Sequence, residues 1–96
     1  MSIVIHTLNE CRYCNQAKSF LTEHQLPFEE IKYDKTSEDY QTLKNNLVSQ
    51  THSFTFPQIF INNVFLGGYQ DLIHAYDTLT LHNLLKEIGF LLEMDF

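Results

Sequence analysis

The sequence predicts an α/β domain in which helices cover both faces of a four-stranded mixed sheet. Three observations lead to this fold class. The sequence begins with a predicted strand at residues 3–7, which contains the apolar run Ile3–Ile5. A segment of helical spacing and a second strand-like segment follow, and together they predict a parallel β-α-β unit. Two later apolar runs flank Asn62 and Asn63, which tolerate positive φ, and this predicts a β-hairpin. The leucine spacing after residue 80 predicts a last amphipathic helix.

Most of the predicted elements have a boundary signal. Pro27 ends the first helix, because the residue before a proline is biased away from helical backbone. Thr36 has the residue type of a helix N-cap, and acidic residues follow it in the first turn. Apolar and charged residues alternate through residues 30–33, which predicts that Ile31 and Tyr33 lie on a buried face. In chain order, the predicted elements are a strand at 3–7, a helix at 12–24, a strand at 28–34, a helix at 36–50, strands at 58–61 and 64–66, a short helix at 71–76, and a helix from 80 that Gly89 caps.

The composition indicates one small globular domain that spans residues 1–96. Hydrophobic residues make up 44% of the chain, which is enough for a packed core, and the net charge of −6 argues against nucleic acid or an anionic membrane as a partner. No apolar run approaches the ~20 residues of a membrane span, and the first residues carry no basic stretch of a signal peptide. We therefore expect a cytoplasmic monomer in a reducing compartment, where a cysteine pair is more often catalytic or metal-binding than structural.

The two cysteines of the chain, Cys11 and Cys14, stand at the predicted strand-to-helix junction. At a helix N-terminus, unpaired backbone N–H groups and the helix dipole favour a negative charge, so Cys11 is expected to ionise readily. Cys-X-X-Cys sites typically lower a cysteine pKa from about 8.5 to roughly 3.5–7.5, and Arg12 adds a positive charge beside Cys11. Cys14 lies about one turn into the helix, closer to the core. The pattern predicts that Cys11 attacks a disulfide and that Cys14 resolves the mixed disulfide.

Two other interpretations of the cysteine pair remain open. A zinc site would require two further ligands from the five histidines, although none of them forms a second tight pair. A purely structural disulfide between Cys11 and Cys14 would close so short a loop that it would stabilise the fold little. The redox interpretation is favoured, because the Cys-X-X-Cys lies in a predicted β-α-β unit.

A second group of residues surrounds the predicted hairpin. Pro57 stands at a strand start, where proline is tolerated, and its preceding peptide bond can be cis. Gly67 and Gly68 permit close backbone approach and positive φ. The helix that begins near Asp71 could receive a carboxylate on its N-terminal N–H groups. On the residues alone, these positions could equally serve only to shape turns.

Three blocks of the sequence together resemble the glutaredoxin family. They are residues 11–14 (Cys-Arg-Tyr-Cys), residues 55–61 (Thr-Phe-Pro-Gln-Ile-Phe-Ile) and residues 67–72 (Gly-Gly-Tyr-Gln-Asp-Leu), and their spacing is also similar. The resemblance covers nearly the whole chain, and the three blocks in this order are strongly specific although a Cys-X-X-Cys alone is not. It implies a thioredoxin fold and glutathione-dependent thiol–disulfide exchange, with Cys11 as the nucleophile.

The resemblance also implies roles for residues of the later blocks. Pro57 would be a cis proline that faces Cys11, and the backbone of Phe56 would pair with the cysteinyl part of glutathione. Tyr13 would flank the groove, and the turn at residues 68–70 would receive the γ-glutamyl carboxylate. The implied glutathione-binding residues are Arg12, Tyr13, Thr55, Phe56, Pro57, Gly68, Tyr69, Gln70 and Asp71.

The sequence departs from the family pattern mainly at positions that carry charge. Arg12 stands where most glutaredoxins with two active cysteines have proline, and Leu8 stands where many have a lysine that contacts the glycine carboxylate of glutathione. Gln70 replaces the acidic residue that meets the γ-glutamyl amine, although Asp71 is adjacent, and Tyr69 stands where many relatives have a small residue. We therefore expect glutathione to bind more weakly here than in typical members, with Arg12 partly replacing the lost cation.

The function that the resemblance implies is reduction of glutathionylated proteins and protein disulfides, with ribonucleotide reductase among the partners that it allows. Two alternatives remain open. Thioredoxin reductase could recharge the protein instead of glutathione, which the lost cations favour. A dimer could instead hold a [2Fe–2S] cluster through the first cysteine of each chain and glutathione, which the missing proline permits.

Overall fold

The computed structural model describes residues 3–87, which form a four-stranded mixed sheet with four helices. The elements are β1 (Ile3–Leu8), α1 (Arg12–Glu23), β2 (Glu29–Tyr33), α2 (Tyr40–Thr51), β3 (Gln58–Ile61), β4 (Val64–Gly67), α3 (Tyr69–Asp77) and α4 (Thr80–Glu87). The strand order is β2-β1-β3-β4, in which β1 is parallel to β2 and antiparallel to β3. The mixed sheet, its β-α-β unit and its hairpin confirm the predicted fold class. No helix within the described range is long and apolar enough to cross a membrane.

The hydrophobic core lies between one face of the sheet and three of the helices. Ile5 of β1 lies opposite Ile59 of β3, Ile3 lies opposite Ile61, and all four side chains are buried. Successive side chains of a strand point to opposite faces, so the alternation in β1 selects this face for the core. The helices contribute buried residues from α1, α3 and α4, which are Ala17, Leu21, Leu72, Ala75, Leu81 and Leu85. The core therefore ties α1 and α3, the two helices nearest the cysteine pair, to the sheet.

The opposite face of the sheet carries a layer of aromatic rings. The His6 ring lies 5.3 Å from the Phe60 ring, and Phe60 lies 5.3 Å from Phe65. His6 Nδ1 is hydrogen-bonded to the Tyr33 hydroxyl at 2.9 Å, and the Tyr33 ring lies 5.2 Å from Phe56. Burial lowers the pKa of His6 and raises the pKa of Tyr33, so the structure favours the neutral form of both. Through Tyr33, this aromatic layer packs against the Phe56 ring with uncharged side chains.

Two expectations about the second strand and second helix are wrong. Helix α2 begins at Tyr40, because Asp34 accepts hydrogen bonds from both the N–H (2.9 Å) and the hydroxyl (2.8 Å) of Thr36, which holds Thr36 in a turn instead of at a helix N-cap. Ile31 is 41% exposed, because β2 is an edge strand in which only Tyr33 is buried.

Helix α3 also begins two residues earlier than predicted, at Tyr69. The predicted cap Gly89 lies outside the described residues.

Glu30 of β2 connects the sheet to α1 through one carboxylate oxygen. Its Oε2 accepts a hydrogen bond of 2.6 Å from the buried Thr7 hydroxyl and one of 3.0 Å from Lys18 Nζ. The bond from Thr7 and then the bond from Lys18 lower the pKa of Glu30. Lys18 therefore forms an ion pair with Glu30 on the side of α1. This ion pair explains the placement of the Lys18 side chain, and no role at the cysteines is needed to explain it.

Glu30 should make the free energy of unfolding depend on pH in the acid range. Its pKa is lower in the folded than in the unfolded chain, so its contribution is present above the usual value of 4.5 and is lost as the pH falls through the folded pKa. Urea unfolding between about pH 7 and pH 3 should therefore show a smaller acid loss of stability in Glu30→Gln than in the native protein. Glu29→Gln, on the neighbouring exposed residue, is the matched control and should follow the native curve. Identical pH dependence of the native protein and Glu30→Gln would contradict this assignment.

Candidate active site

The cysteine pair lies where β1 passes into α1, as the sequence predicts. After β1, Glu10 adopts a left-handed backbone (φ 57°) that turns the chain into the helix. Cys11 is the N-cap of α1, with extended backbone, and its carbonyl accepts the first helical hydrogen bond, from the N–H of Asn15 at 3.1 Å. Cys11 and Cys14 are joined by a disulfide, with their Cα atoms 5.2 Å apart. The pair therefore closes without distorting the first turn of the helix.

The two sulfurs have different surroundings. The N–H of Cys14 donates a hydrogen bond of 3.1 Å to Cys11 Sγ, which is thus the cap of the first helical turn. Cys11 is half-buried, whereas Cys14 is 1% exposed. A substrate can therefore reach Cys11, and the first-turn N–H group and the helix dipole favour negative charge on that sulfur.

A cavity of about 420 Å³ is formed where the start of β3 meets the start of α3. The peptide bond between Phe56 and Pro57 is cis, as the family resemblance implies. The residues that line the cavity are Tyr13, Ser53, Thr55, Phe56, Pro57, Phe65, Gly67, Gly68, Tyr69, Gln70 and Asp71. Eight of the nine residues implied for glutathione binding are thus in one cavity. The exception is Arg12, which is exposed at the first position of α1.

Asp71 and Gly67 set the shape of the turn before α3. Asp71 Oδ2 accepts a hydrogen bond of 2.8 Å from the N–H of Gly68, the N-cap residue of α3. Gly67 has φ of +131°, which L side chains rarely adopt, and a Cβ atom there would collide with the Asp71 side chain. The observed conformation of this turn therefore requires glycine at position 67.

Gln58 is a site residue that the sequence did not single out. It is 1% exposed and follows Pro57 directly, and its Nε2 donates hydrogen bonds to the carbonyls of Ser53 (2.8 Å) and Thr55 (3.1 Å). Ser53 and Thr55 line the cavity, so one amide group fixes the loop before the cis peptide bond. The available signal was a glutamine at the first position of a strand that is otherwise apolar.

Gln58→Met should loosen this loop, because it keeps a similar volume but leaves two carbonyls without their donor. We expect the free energy of unfolding to fall by about 1 to 3 kcal/mol and KM for a disulfide substrate to rise more than kcat falls. Urea unfolding and steady-state kinetics measure both. Gln50→Met changes an exposed glutamine of α2 in the same way and should leave both quantities unchanged. A Gln58→Met protein with native stability and native KM would show that the amide does not position the loop.

The cavity contains little charge. Among the residues that line it, Asp71 is the one ionisable carboxylate and there is no lysine or arginine. Leu8 occupies the end of β1, and Lys18 is paired with Glu30 at 3.0 Å. Arg12 is therefore the cation of the site region, and it lies on the solvent side of the helix start. Within residues 3–87, no group of three or more His, Cys, Asp or Glu side chains is arranged to hold a metal ion.

Comparisons with known proteins agree with this geometry. The family model for glutaredoxin matches residues 3–66. Glutaredoxin 1 of Rickettsia bellii is 35% identical over 71 residues, which are 74% of this chain and 72% of the relative. The solution structure of a glutaredoxin from Brucella melitensis has a TM-score of 0.74 and 32% identity, and the match covers 95% of each chain. The crystal structure of a buckwheat glutaredoxin–glutathione complex has a TM-score of 0.83 at 21% identity, covering 94% of this chain and 81% of that chain, and this likeness shows the fold.

Proposed function

The chain belongs to the glutaredoxin family of thiol–disulfide oxidoreductases, and we propose that it binds glutathione in the cavity next to Cys11 and uses it as its reductant. The observation that carries the proposal is a cavity formed by the cis-proline loop and the first turn of α3, which is also lined by Tyr13 of the cysteine motif. The accessible N-cap sulfur of that motif belongs to Cys11, two residues before Tyr13. The cavity of about 420 Å³ is within the usual size range of small-ligand sites. The buckwheat protein of the same fold was solved as a complex with glutathione.

The reaction begins with the reduced protein. The Cys11 thiolate attacks the glutathione sulfur of a glutathionylated protein, a new disulfide forms between Cys11 and glutathione, and the protein thiolate leaves. A second glutathione, as its thiolate, then attacks the glutathione sulfur of this mixed disulfide. Oxidised glutathione is released and the Cys11 thiolate is restored. One disulfide is consumed and one is produced, so electrons balance without another reductant.

Protein disulfides follow a second route that requires Cys14. After Cys11 has formed a mixed disulfide with the protein, the Cys14 thiolate attacks Cys11 Sγ and releases the second protein thiol. The observed disulfide between Cys11 and Cys14 is the product of this step. Because Cys14 is almost fully buried, it is poorly placed to attack a substrate directly, which supports a resolving role. Glutathione then reduces the pair in two exchanges.

The reduced site should favour the Cys11 thiolate. The N–H of Cys14 points at Cys11 Sγ, and the positive end of the α1 dipole lies at the same sulfur. Arg12 adds a positive charge one residue away. We therefore expect the pKa of Cys11 to lie below the ~8.5 of a free cysteine.

Backbone groups supply most of the proposed glutathione contacts. The backbone of Phe56, which lines the cavity, would pair with the cysteinyl part of glutathione. The first N–H groups of α3, at Tyr69 and Gln70, would receive the γ-glutamyl carboxylate, because a helix start favours an anion. Asp71, which already accepts from the Gly68 N–H, would face the γ-glutamyl amine.

Glutathione affinity tests this proposal and the expectation of weak binding together. Arg12→Ala should weaken glutathione binding by up to about fivefold, because an exposed ion pair is worth little, and the loss should shrink as salt is raised. Leu8→Lys should tighten binding, since it restores a cation where many relatives have one. Lys35→Ala removes an exposed cation outside the site and is the matched control. NMR titration of the oxidised proteins with S-methylglutathione, whose blocked sulfur cannot reduce the Cys11–Cys14 disulfide, measures all four affinities. The expectation of weak binding would be refuted if the native protein bound glutathione as tightly as a lysine-containing glutaredoxin and Arg12→Ala did not change this affinity. The proposed binding site would be refuted if the chemical-shift changes occurred away from the cavity.

One feature favours a second candidate function, assembly of a [2Fe–2S] cluster. Arg12 replaces the proline that the family resemblance associates with resistance to cluster binding. One chain offers a single accessible cysteine, so a cluster would need a second chain and two glutathione molecules. Anaerobic purification with iron, sulfide and glutathione tests it, and a colourless, iron-free monomer that still exchanges thiols would exclude it. Ribonucleotide reductase as a substrate and the cytoplasmic location remain predictions.

A further inference from the structure

Two tyrosine rings form a ridge next to the cysteine pair. Tyr69 is the first residue of α3, and its ring stacks on Tyr13 with centroids 6.1 Å apart and planes inclined by 26°. Tyr13 belongs to the cysteine motif and is 51% exposed, whereas Tyr69 is half-buried and packs against the hydrophobic core. Packing against the core thus holds the Tyr69 ring in place, and Tyr69 in turn supports the exposed Tyr13 ring. We refer to Tyr13 and Tyr69 as the aromatic ridge.

The aromatic ridge stands between two cavities. The first is the active-site cavity of about 420 Å³, and the second, of about 300 Å³, lies along the outer side of α1. Tyr69 is the residue that the two linings share. The other residues of the second cavity are Asn15, Gln16, Ser19, Phe20 and Glu23. A ligand that extends from the first cavity into the second, along α1, must therefore pass Tyr69.

The chemistry of the two cavities favours a polypeptide that carries an apolar side chain at the ridge. The first cavity offers the rings of Phe56 and Phe65 together with the ridge, and its charged lining residue, Asp71, is negative. An aromatic or aliphatic side chain would gain contact with these rings, whereas an anionic group would find no side-chain cation among them. Apart from the rings of Phe20 and Tyr69, the second cavity is lined by polar side chains and by Glu23, which can hydrogen-bond a peptide backbone. A tripeptide confined to the first cavity has no need of the second.

We propose that Tyr69 is a specificity-determining residue, and that it selects polypeptide disulfides with an aromatic or large aliphatic residue next to the attacked cysteine. The proposal extends the thiol–disulfide exchange described above to a class of substrate, and it does not require that glutathione be the reductant. Its consequence is that substrate preference depends on the side chain at position 69. A small residue there would remove the support of Tyr13 and open the two cavities into one.

The test compares two symmetric peptide disulfides. Each is a homodimer of a single-cysteine peptide, with equal length and charge, and the cysteine is flanked by phenylalanine in one and by alanine in the other. Pre-reduced protein reacts with each in a single turnover, which yields two peptide thiols and the oxidised Cys11–Cys14 pair, and the released peptide is quantified by chromatography. We expect the native protein to react about 3- to 10-fold faster with the phenylalanine peptide, the range of an aromatic pair. The ratio should fall to near one in Tyr69→Ser and persist in Tyr69→Phe.

Tyr40→Ser removes a ring of the same size outside both cavities and should keep the native ratio. A native ratio near one, or a preference that survives Tyr69→Ser, would overturn the proposal. Because the protein is reduced beforehand and the chemical reductant is removed, the ratio is independent of glutathione. Failure of glutathione to re-reduce the oxidised protein would therefore count against the proposed reductant alone.

Discussion

A Cys11→Ser variant is expected to lose thiol–disulfide exchange by at least about a thousandfold with every disulfide substrate, because the nucleophile is removed. Cys14→Ser is expected to behave differently. It should keep most of its turnover of a glutathionylated peptide, since that route uses Cys11 and glutathione, and lose catalytic turnover of an intramolecular protein disulfide, which requires the resolving cysteine. Coupled assays of both variants with both substrates, with reduced glutathione in excess, measure the contrast.

The Cys11→Ser and Cys14→Ser variants test whether the different surroundings of the two sulfurs give them different roles. Cys11 Sγ is the half-buried cap of α1, and Cys14 is almost fully buried. Far-ultraviolet circular dichroism of each variant, after reduction of the native reference, checks that both fold. Equal loss in Cys11→Ser and Cys14→Ser with the glutathionylated peptide would contradict the assigned roles, because it would mean that both thiols are needed in the route assigned to Cys11 alone.

Gly67→Ala should have the largest effect on stability among substitutions in the cavity. The backbone at Gly67 has φ of +131°, and an added Cβ would overlap the Asp71 side chain that caps α3. The strain and the displaced cap should lower the free energy of unfolding by about 2 kcal/mol or more, which for a chain of this size corresponds to a drop in Tm of roughly 10 °C. Glutathione affinity should fall as well, because the same turn forms the cavity wall. Calorimetric unfolding and NMR titration measure the two effects.

Gly68→Ala is the matched control for this substitution. Gly68 has φ of −97°, and a Cβ there would meet its nearest neighbour, the Pro57 carbonyl oxygen, at an ordinary 3.5 Å. Its stability should therefore change by less than about 1 kcal/mol. Equal unfolding temperatures of Gly67→Ala and Gly68→Ala would contradict the claim that the positive φ of residue 67 and its contact with Asp71 require glycine.

Local patterns predict the framework of the fold, because the elements that carry the site have strong periodicity and clear ends. The apolar run of β1 and the helical spacing of α1 predict their elements directly, and the Asn62–Asn63 pair predicts the turn of the hairpin. Predictions were wrong where two local interactions compete. Thr36 could cap a helix or complete a turn with Asp34, and the sequence does not show that the Asp34 carboxylate accepts both Thr36 donors. Similarly, alternation in β2 does not show that β2 lies at an edge, where Ile31 remains exposed.

The candidate site was predicted unevenly for the same reason. Cys11 and Cys14 are close in sequence, so their geometry follows from one helix start. The cis bond before Pro57 follows from the family resemblance, whereas the residues alone leave both isomers open. The two hydrogen bonds of Gln58 and the stacking of Tyr69 on Tyr13 depend on tertiary placement, and no local pattern reports them. The sequence therefore predicts which residues carry the chemistry better than it predicts which residues hold them in position.

The most direct test of the central claim is the choice of reductant. The native protein is assayed with a glutathionylated peptide in two separate reactions, both supplied with NADPH. One reaction contains reduced glutathione and glutathione reductase, and the other contains thioredoxin reductase and no added glutathione. If glutathione is the reductant, the glutathione arm turns over and the Cys14→Ser variant does so too, while the thioredoxin reductase arm stays at background. Turnover only with thioredoxin reductase, and none in Cys14→Ser, would instead show a dithiol electron donor that does not use glutathione, and would contradict the proposed function.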